Sequence, residues 1–178
     1  MGQAKLENKK KIGILGGTFD PAHIGHIKIS ITAKKIFKLD KVIWAITKKN
    51  PYKKNSSLNL KERISYAKKI SLKNKFIKIG FYEDKIKSNK TINLIKFFIK
   101  KNKNTEIYFI MGADNLINFH KWEKYNLIPG LCKILVFDRD GYKSKSLKSL
   151  SFKKYNNKSL EFIKFKKVKI SSSQLRKI

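Results

Sequence analysis

The chain is 178 residues long, 41% hydrophobic and 12% aromatic, which is enough apolar side chain for one ordered core and too little length for two. Its longest apolar runs, such as Ile12–Leu15 and Tyr108–Met111, fall far short of the roughly 20 residues that span a bilayer. The start Met1-Gly2-Gln3-Ala4-Lys5 lacks the apolar stretch of a secretory signal, and the single Cys132 excludes an internal disulfide or a cysteine-based metal cluster, so the expected setting is the cytoplasm, with no membrane partner.

The net charge of +31 invites a nucleic-acid partner, but arginine stands only at Arg63, Arg139 and Arg176. Bidentate phosphate and base-edge contacts favour arginine, whereas the lysines are dispersed along the whole chain beside much Asn and Ile, as an AT-rich coding bias would leave them. The charge reads as a field that steers small polyanions such as nucleotides, and nucleic acid is disfavoured as a partner.

Residues 1–10 read as a loose leader and residues 11–178 as one domain. Ile12–Leu15 is a short apolar run ended by Gly16-Gly17, a buried strand stopping at a tight turn. Ile24, Ile27 and Ile31 then recur at helical spacing, predicting a helix from Pro21 or His23 to Phe37. Val42–Ile46 is a second buried strand. Asn59 and Glu62 have capping-box spacing at the head of a helix over Leu60–Ile70, and Ile77, Ile79 and Phe81 alternate as in a strand.

Ile92, Ile95 and Ile99 predict an amphipathic helix over Thr91–Lys101, capped by Ser88 or Thr91. Ile107–Met111, ending in Gly112, is the next buried strand, followed by a helical stretch around Asn115–Tyr125 and a strand over Lys133–Phe137. The segment 139–159, rich in Ser, Lys and Asn, reads as a mobile surface excursion. A strand near Leu160–Phe165 and a helix near Ser172–Lys177 finish the chain. Buried strands alternating with helices predict an α/β, doubly wound, mainly parallel sheet with helices on both faces, whose ligands bind beyond the carboxyl ends of the strands.

The string Gly16-Gly17-Thr18-Phe19-Asp20-Pro21-Ala22-His23-Ile24-Gly25-His26 lies at such an end. Two glycines let backbone N–H groups approach a polyphosphate, and the helix start adds unpaired donors and partial positive charge. His23 and His26, two of only three histidines, are spaced to point from one face of the first turn at the same anion, with Gly25 leaving room for a nucleotide. Asp20, before a proline, fits a turn role. Near the other end, Ile170-Ser171-Ser172-Ser173-Gln174-Leu175-Arg176 opens a helix with hydroxyls able to cap it and a fork-shaped cation one turn in.

These strings resemble the His-x-Gly-His nucleotidyltransferases, and the longer form of the first resembles the bacterial nicotinate-nucleotide adenylyltransferases. The second is similar to that family's Ile-Ser-Ser-Thr-x-(Ile or Leu)-Arg, with Ser173 in place of Thr. Met111-Gly112-Ala113-Asp114-Asn115-Leu116, with Trp122 downstream, resembles its Gly-Ala-Asp-Asn-Leu segment. The resemblance runs from about Lys11 to Arg176.

It implies a Rossmann-like fold and a transfer joining ATP and nicotinate mononucleotide into nicotinate adenine dinucleotide and pyrophosphate, with Mg²⁺ carried on ATP and no protein metal site. It implies catalytic roles for His23, His26 and Arg176, and an ATP site of Gly16, Gly17, Thr18, Phe19, His23, Gly25, His26, Gly112, Asp114, Ile170, Ser171, Ser172 and Arg176. For the mononucleotide it implies Trp122 stacking on the pyridine, Lys53 near the phosphate, and Thr91 and Arg139. A mononucleotide phosphate attacks the α-phosphorus directly, so positioning and charge neutralisation by these groups suffice, with no protein nucleophile. Pantetheine-phosphate or nicotinamide-nucleotide adenylyl transfer stays open as an alternative, a basic nucleic-acid-binding module more remotely, and a homo-oligomer is compatible with the sequence.

Overall fold

The computed structural model describes residues 9–49 and 57–165. Six strands, β1 (Lys10–Gly17), β2 (Lys41–Ile46), β3 (Ile77–Phe81), β4 (Thr105–Gly112), β5 (Lys133–Phe137) and β6 (Leu160–Ile163), form one sheet in the order β3-β2-β1-β4-β5-β6. Every pair is parallel. The inner strands β1, β2, β4 and β5 are covered on both faces and appear in the sequence as apolar runs, whereas the edge strand β3 alternates.

Alternate residues of each run serve opposite layers. Ile12, Ile14, Phe109 and Val136 join one buried cluster with Ile92, Ile95 and Phe98 of α4 (Thr91–Lys101). Leu15, Trp44, Ile110 and Phe137 join the other with Ile27 and Ala33 of α1 (Ile24–Phe37) and Ala67 of α2 (Leu60–Ser71). The chain order reverses direction across the sheet between β1 and β4. In such sheets the crevice beyond the strand ends at that reversal is where ligands settle.

The α/β doubly wound expectation and the main strands and helices hold, and the Asn59–Glu62 capping box is present as read. Several details differ. Lys10, assigned to the leader, already belongs to β1. Gly16 and Gly17 are not a turn: they pair with Ala45 and Ile46 as the last residues of β1, and the chain turns at Thr18–Pro21. Neither Ser88 nor Thr91 caps α4. Lys90 is its N-cap residue, and the Ser88 hydroxyl accepts hydrogen bonds from Lys90 N and Asn93 Nδ2.

The segment after Arg139 is no loose excursion. It folds into α7 (Lys143–Leu147) and α8 (Leu150–Tyr155), and Ser146, Ser151 and Tyr155 are buried. The stretch expected as one helix after β4 is α5 (Ala113–Ile117) followed by tight turns at Phe119–Lys121 and Tyr125–Leu127. Two four-residue helices too short to show periodicity, α3 (Glu83–Ile86) and α6 (Ile128–Leu131), were not foreseen. The strand expected to reach Phe165 ends at Ile163, and the helix expected near Ser172–Lys177 lies outside the described residues. Among the described residues no helix is long and apolar enough to cross a membrane.

Candidate active site

The loop after β1 is built on buried groups. The Asp20–Pro21 peptide is cis, and the Asp20 carboxylate is buried, accepting hydrogen bonds from Ser57 N at 2.8 Å and Leu58 N at 3.0 Å. Asp20 therefore ties this loop to the start of α2, a structural role. Phe19 sits in the left-handed region (φ 49°) with its ring buried against Trp44, centroids 5.0 Å apart and nearly parallel. Its side chain supports the site from below, which leaves only its backbone for a bound nucleotide.

α1 begins with a capping box made of two imidazoles. His23 is the N-cap residue and its Nδ1 accepts from Gly25 N at 3.1 Å, while Nδ1 of His26, three residues on, accepts from His23 N at 3.1 Å. The rings lie 4.0 Å apart, as the i, i+3 spacing requires. An Nδ1 that accepts a backbone N–H carries no proton, so both neutral rings hold theirs on Nε2 and offer it as a donor.

His26 is wedged against Phe19 (4.7 Å) and Trp44 (5.8 Å), and Trp44 Nε1 donates to Ser30 Oγ, which donates to His26 O, both at 2.8 Å. Burial, and then the positive charge of Arg139, push the His23 pKa down to about 4. At neutral pH the unliganded ring is uncharged and acts as a directed hydrogen-bond donor rather than as a cation. Gly25 is obligatory for this arrangement, because a methyl group there would lie 2.7 Å from His23 Cε1 and 2.8 Å from its Nδ1.

Across the reversal, Gly112 ends β4 and caps α5. A Cβ at Gly112 would lie 2.6 Å from Asp114 Oδ1, so glycine is what lets the carboxylate fold back over the strand end. Asp114 Oδ2 pairs with Arg139 Nη1 at 2.5 Å, and the Arg139 guanidinium lies over the Tyr142 ring. Asp114 Oδ1 is buried without a hydrogen-bond partner. Such an acceptor costs about 1–3 kcal/mol until a donor reaches it. The structure thus joins Asp114 and Arg139, residues that the sequence assigned to different substrates, and sets Arg139 close enough to His23 to depress its pKa.

Between β1, β2 and β4 opens a cleft of about 380 Å³, whose walls include Gly16, Gly17, Thr91, Tyr82, Glu83 and Trp122. Trp122 is half-buried, edge-on to Phe119 (5.3 Å) and Phe109 (6.0 Å), so it packs on the core and lines the cleft at once. Thr91 lines it as the first residue of α4. His23, His26, Asp114 and Arg139 are not part of this lining. The expected residues therefore fall into two groups, and Gly16 and Gly17, which line the cleft, lead through the Thr18–Pro21 turn to the other. Lys53, Ile170, Ser171, Ser172 and Arg176 lie outside the described residues.

Sequence reading missed Tyr82 and Glu83, which belong to the unforeseen turn and helix after β3, and it missed Arg63. Arg63 is buried within α2 and donates to four backbone carbonyls, including Thr18 O at 2.6 Å. Its signal was present: it stands four residues before the buried Ala67, on the apolar face of the helix. Among the described residues no three His, Cys, Asp or Glu side chains come together to hold a metal ion.

Known proteins are similar to this chain in sequence and in fold. The family described as cytidylyltransferase-like matches residues 14–178. A protein of Pelagibacter ubique (strain HTCC1062) named "Probable nicotinate-nucleotide adenylyltransferase" is 63% identical over 172 residues, 97% of this chain and 95% of the relative. One of the same name from Clostridium botulinum (strain Eklund 17B / Type B) is 36% identical over 173 residues, 94% of this chain and 85% of the relative. The structure of the Plasmodium falciparum nicotinic acid mononucleotide adenylyltransferase complexed with NaAD shares the fold, with a TM-score of 0.74 at 20% identity over 94% of this chain and 83% of that one. The chain belongs to the cytidylyltransferase-like family and, within it, to the nicotinate-nucleotide adenylyltransferases.

Proposed function

We propose that the chain joins ATP and nicotinate mononucleotide to give nicotinate adenine dinucleotide and pyrophosphate, a step in making NAD. The observation that carries the reading is that the strand end Gly16–Gly17 lines the aromatic cleft containing Trp122 and leads through the Thr18–Pro21 turn into the imidazole pair heading α1. Two half-sites joined through one turn suit two substrates that must react in line. The family relatives carry the same activity in their names.

In this reading the triphosphate lies along the backbone of Gly16, Gly17, Thr18 and Phe19 and over the first turn of α1, where helix donors favour anions. His23 and His26 donate from Nε2 to its oxygens, and Gly25 keeps the approach open. With Nδ1 held by Gly25 N, His23 meets a phosphate oxygen as a neutral donor from Nε2. By the family resemblance, Ile170, Ser171, Ser172 and Arg176 also serve ATP, with Arg176 neutralising the leaving pyrophosphate. Asp114 Oδ1, kept partnerless by the fold over Gly112, accepts a ribose hydroxyl of ATP. Trp122 stacks on the pyridine, Thr91 closes the cleft beside it, and Lys53 and Arg139 serve the mononucleotide phosphate.

A mononucleotide phosphate oxygen attacks the α-phosphorus of ATP. The new P–O bond forms as the bond from that phosphorus to the bridging oxygen breaks, and pyrophosphate leaves with the electron pair. Mg²⁺ enters as part of the MgATP substrate and spreads the charge of the leaving group. The requirement for ATP fits a cytoplasmic setting.

Nicotinate mononucleotide labelled with ¹⁸O in its phosphate tests both the reaction and its course. Mass spectrometry is expected to find the label in the dinucleotide, with unlabelled pyrophosphate. Labelled pyrophosphate, or no dinucleotide at all, would overturn the proposal.

A further inference from the structure

We propose that Arg63 is a positioning residue that holds the two loops flanking the reaction in register, an inference that rests on the function proposed above. Its side chain is 2% exposed, and its guanidinium donates from Nη1 to Thr18 O at 2.6 Å and Thr47 O at 2.8 Å, from Nη2 to Lys48 O at 3.0 Å, and from Nε to Leu58 O at 3.2 Å. Thr18 belongs to the loop that leads into His23. Thr47 lines the cleft. One planar group therefore joins the edges of both half-sites, and Thr47 N adds a direct bond to Gly17 O at 2.9 Å.

Two carboxylates complete the clamp, and each grips a residue that Arg63 holds from its other side. Glu83 Oε1 accepts from Lys48 N at 3.2 Å while Arg63 takes the Lys48 carbonyl. Asp20 accepts from Leu58 N while Arg63 takes the Leu58 carbonyl. Lys48 and Leu58 are the stems of the connection from β2 to α2, so both are fixed in position and rotation. Asp20 and Glu83 also lie close enough to interact electrostatically with the guanidinium, which is what holds a cation in so buried a place. A lysine ammonium is a point donor and cannot reproduce a fork that serves four carbonyls.

Arg63→Lys and Arg63→Ala are the test, alongside Leu160→Ala, a core variant on β6 away from the site that lowers stability without touching either loop. Displacements on the order of 1 Å in a positioned site cost about 10²-fold. Arg63→Lys is accordingly expected to lose about that much kcat/KM, with lower kcat and higher KM for both substrates. Leu160→Ala is expected to keep wild-type constants below its melting temperature. Methylguanidinium is expected to restore activity to Arg63→Ala, and amides of Thr47, Lys48, Ser57 and Leu58 to exchange faster in Arg63→Lys while those of β5 keep their protection.

Wild-type constants in Arg63→Lys, or exchange that rises uniformly, would overturn the clamp. If wild type turns over none of the substrates while these four amides still loosen selectively, the proposed function fails and the loop clamp stands. Should Arg63→Lys not fold, Glu83→Ala removes the acceptor of Lys48 N and one of the two carboxylates facing the guanidinium, and exchange of the Lys48 amide is read beside the kinetics because Glu83 also lines the cleft. About a tenfold loss of kcat/KM is then expected, and no loss would refute the clamp.

Discussion

Gly25→Ala separates what the imidazole capping box does for folding from what it does for reaction. The added methyl would start 2.7 Å from His23 Cε1, so the ring must retreat by about 0.7 Å to reach ordinary contact at 3.4 Å. The Gly25 N to His23 Nδ1 bond, now 3.1 Å, would stretch past hydrogen-bonding distance. Losing the cap costs about 1 kcal/mol, and replacing glycine by alanine in a helix returns up to about 1 kcal/mol. Stability should therefore change by less than about 1 kcal/mol, moving Tm by no more than about 3 °C in a chain of this size. Catalysis should not be spared, because a donor displaced by that distance no longer meets the triphosphate oxygens, and kcat/KM should fall about 10²-fold. Pyrophosphate release beside thermal unfolding reads both quantities. Wild-type kcat/KM in Gly25→Ala would refute the assignment of His23 to the reaction, and a Tm loss of about 10 °C would show that the pair is there for the fold.

His26→Ala removes the second donor and the acceptor for His23 N; turnover should drop by about 10²-fold or more with the circular dichroism spectrum unchanged, and near-normal turnover would remove His26 from the triphosphate site. Trp122→Ala should raise KM for the mononucleotide well above any change for ATP, since its indole lines only the cleft half-site, whereas equal losses would assign it to core packing. The His23 pKa, near 4 in the folded chain against an ordinary 6.5, gives a signed prediction. Its contribution is intact above about pH 6.5 and is lost as pH falls toward 4, because the unfolded chain then takes up a proton that the native ring refuses. Urea unfolding of wild type should therefore weaken faster than that of His23→Gln between pH 6.5 and 4.5, and parallel curves would contradict the burial argument.

The sheet was legible because its inner parallel strands are buried on both faces: Ile12–Leu15, Val42–Ile46 and Ile107–Met111 are continuous apolar runs that nothing else in a chain of this size explains. The Asn59–Glu62 box was legible because capping is local. The misreadings came from residues whose role is tertiary. Ser146 and Ser151 are polar by composition yet buried, being small enough to let α7 and α8 lie close on the core. Gly16-Gly17 has the composition of a turn and is held in the sheet by its pairing with Ala45 and Ile46. Phe19, within the nucleotide-binding string, puts its ring into the packing under His26, a tertiary contact that the string does not reveal.

At the site, the i, i+3 spacing of His23 and His26 announced their common face. It could not announce that each Nδ1 is occupied by a backbone N–H, which leaves Nε2 of each ring as the donor. Nor could spacing bring together Asp114 and Arg139, 25 residues apart, or show that Arg63 serves carbonyls on three segments. Those arrangements depend on the strand order, which reverses at β1 and β4 and sets distant loops side by side.

Pyrophosphate release with ATP and Mg²⁺, measured separately with nicotinate mononucleotide, nicotinamide mononucleotide and phosphopantetheine, and with the product identified by mass, tests the central claim most directly. The account predicts rapid release and a nicotinate adenine dinucleotide product with the acid, and far lower kcat/KM with the other two. Release with phosphopantetheine alone, or silence with all three acceptors, would contradict it.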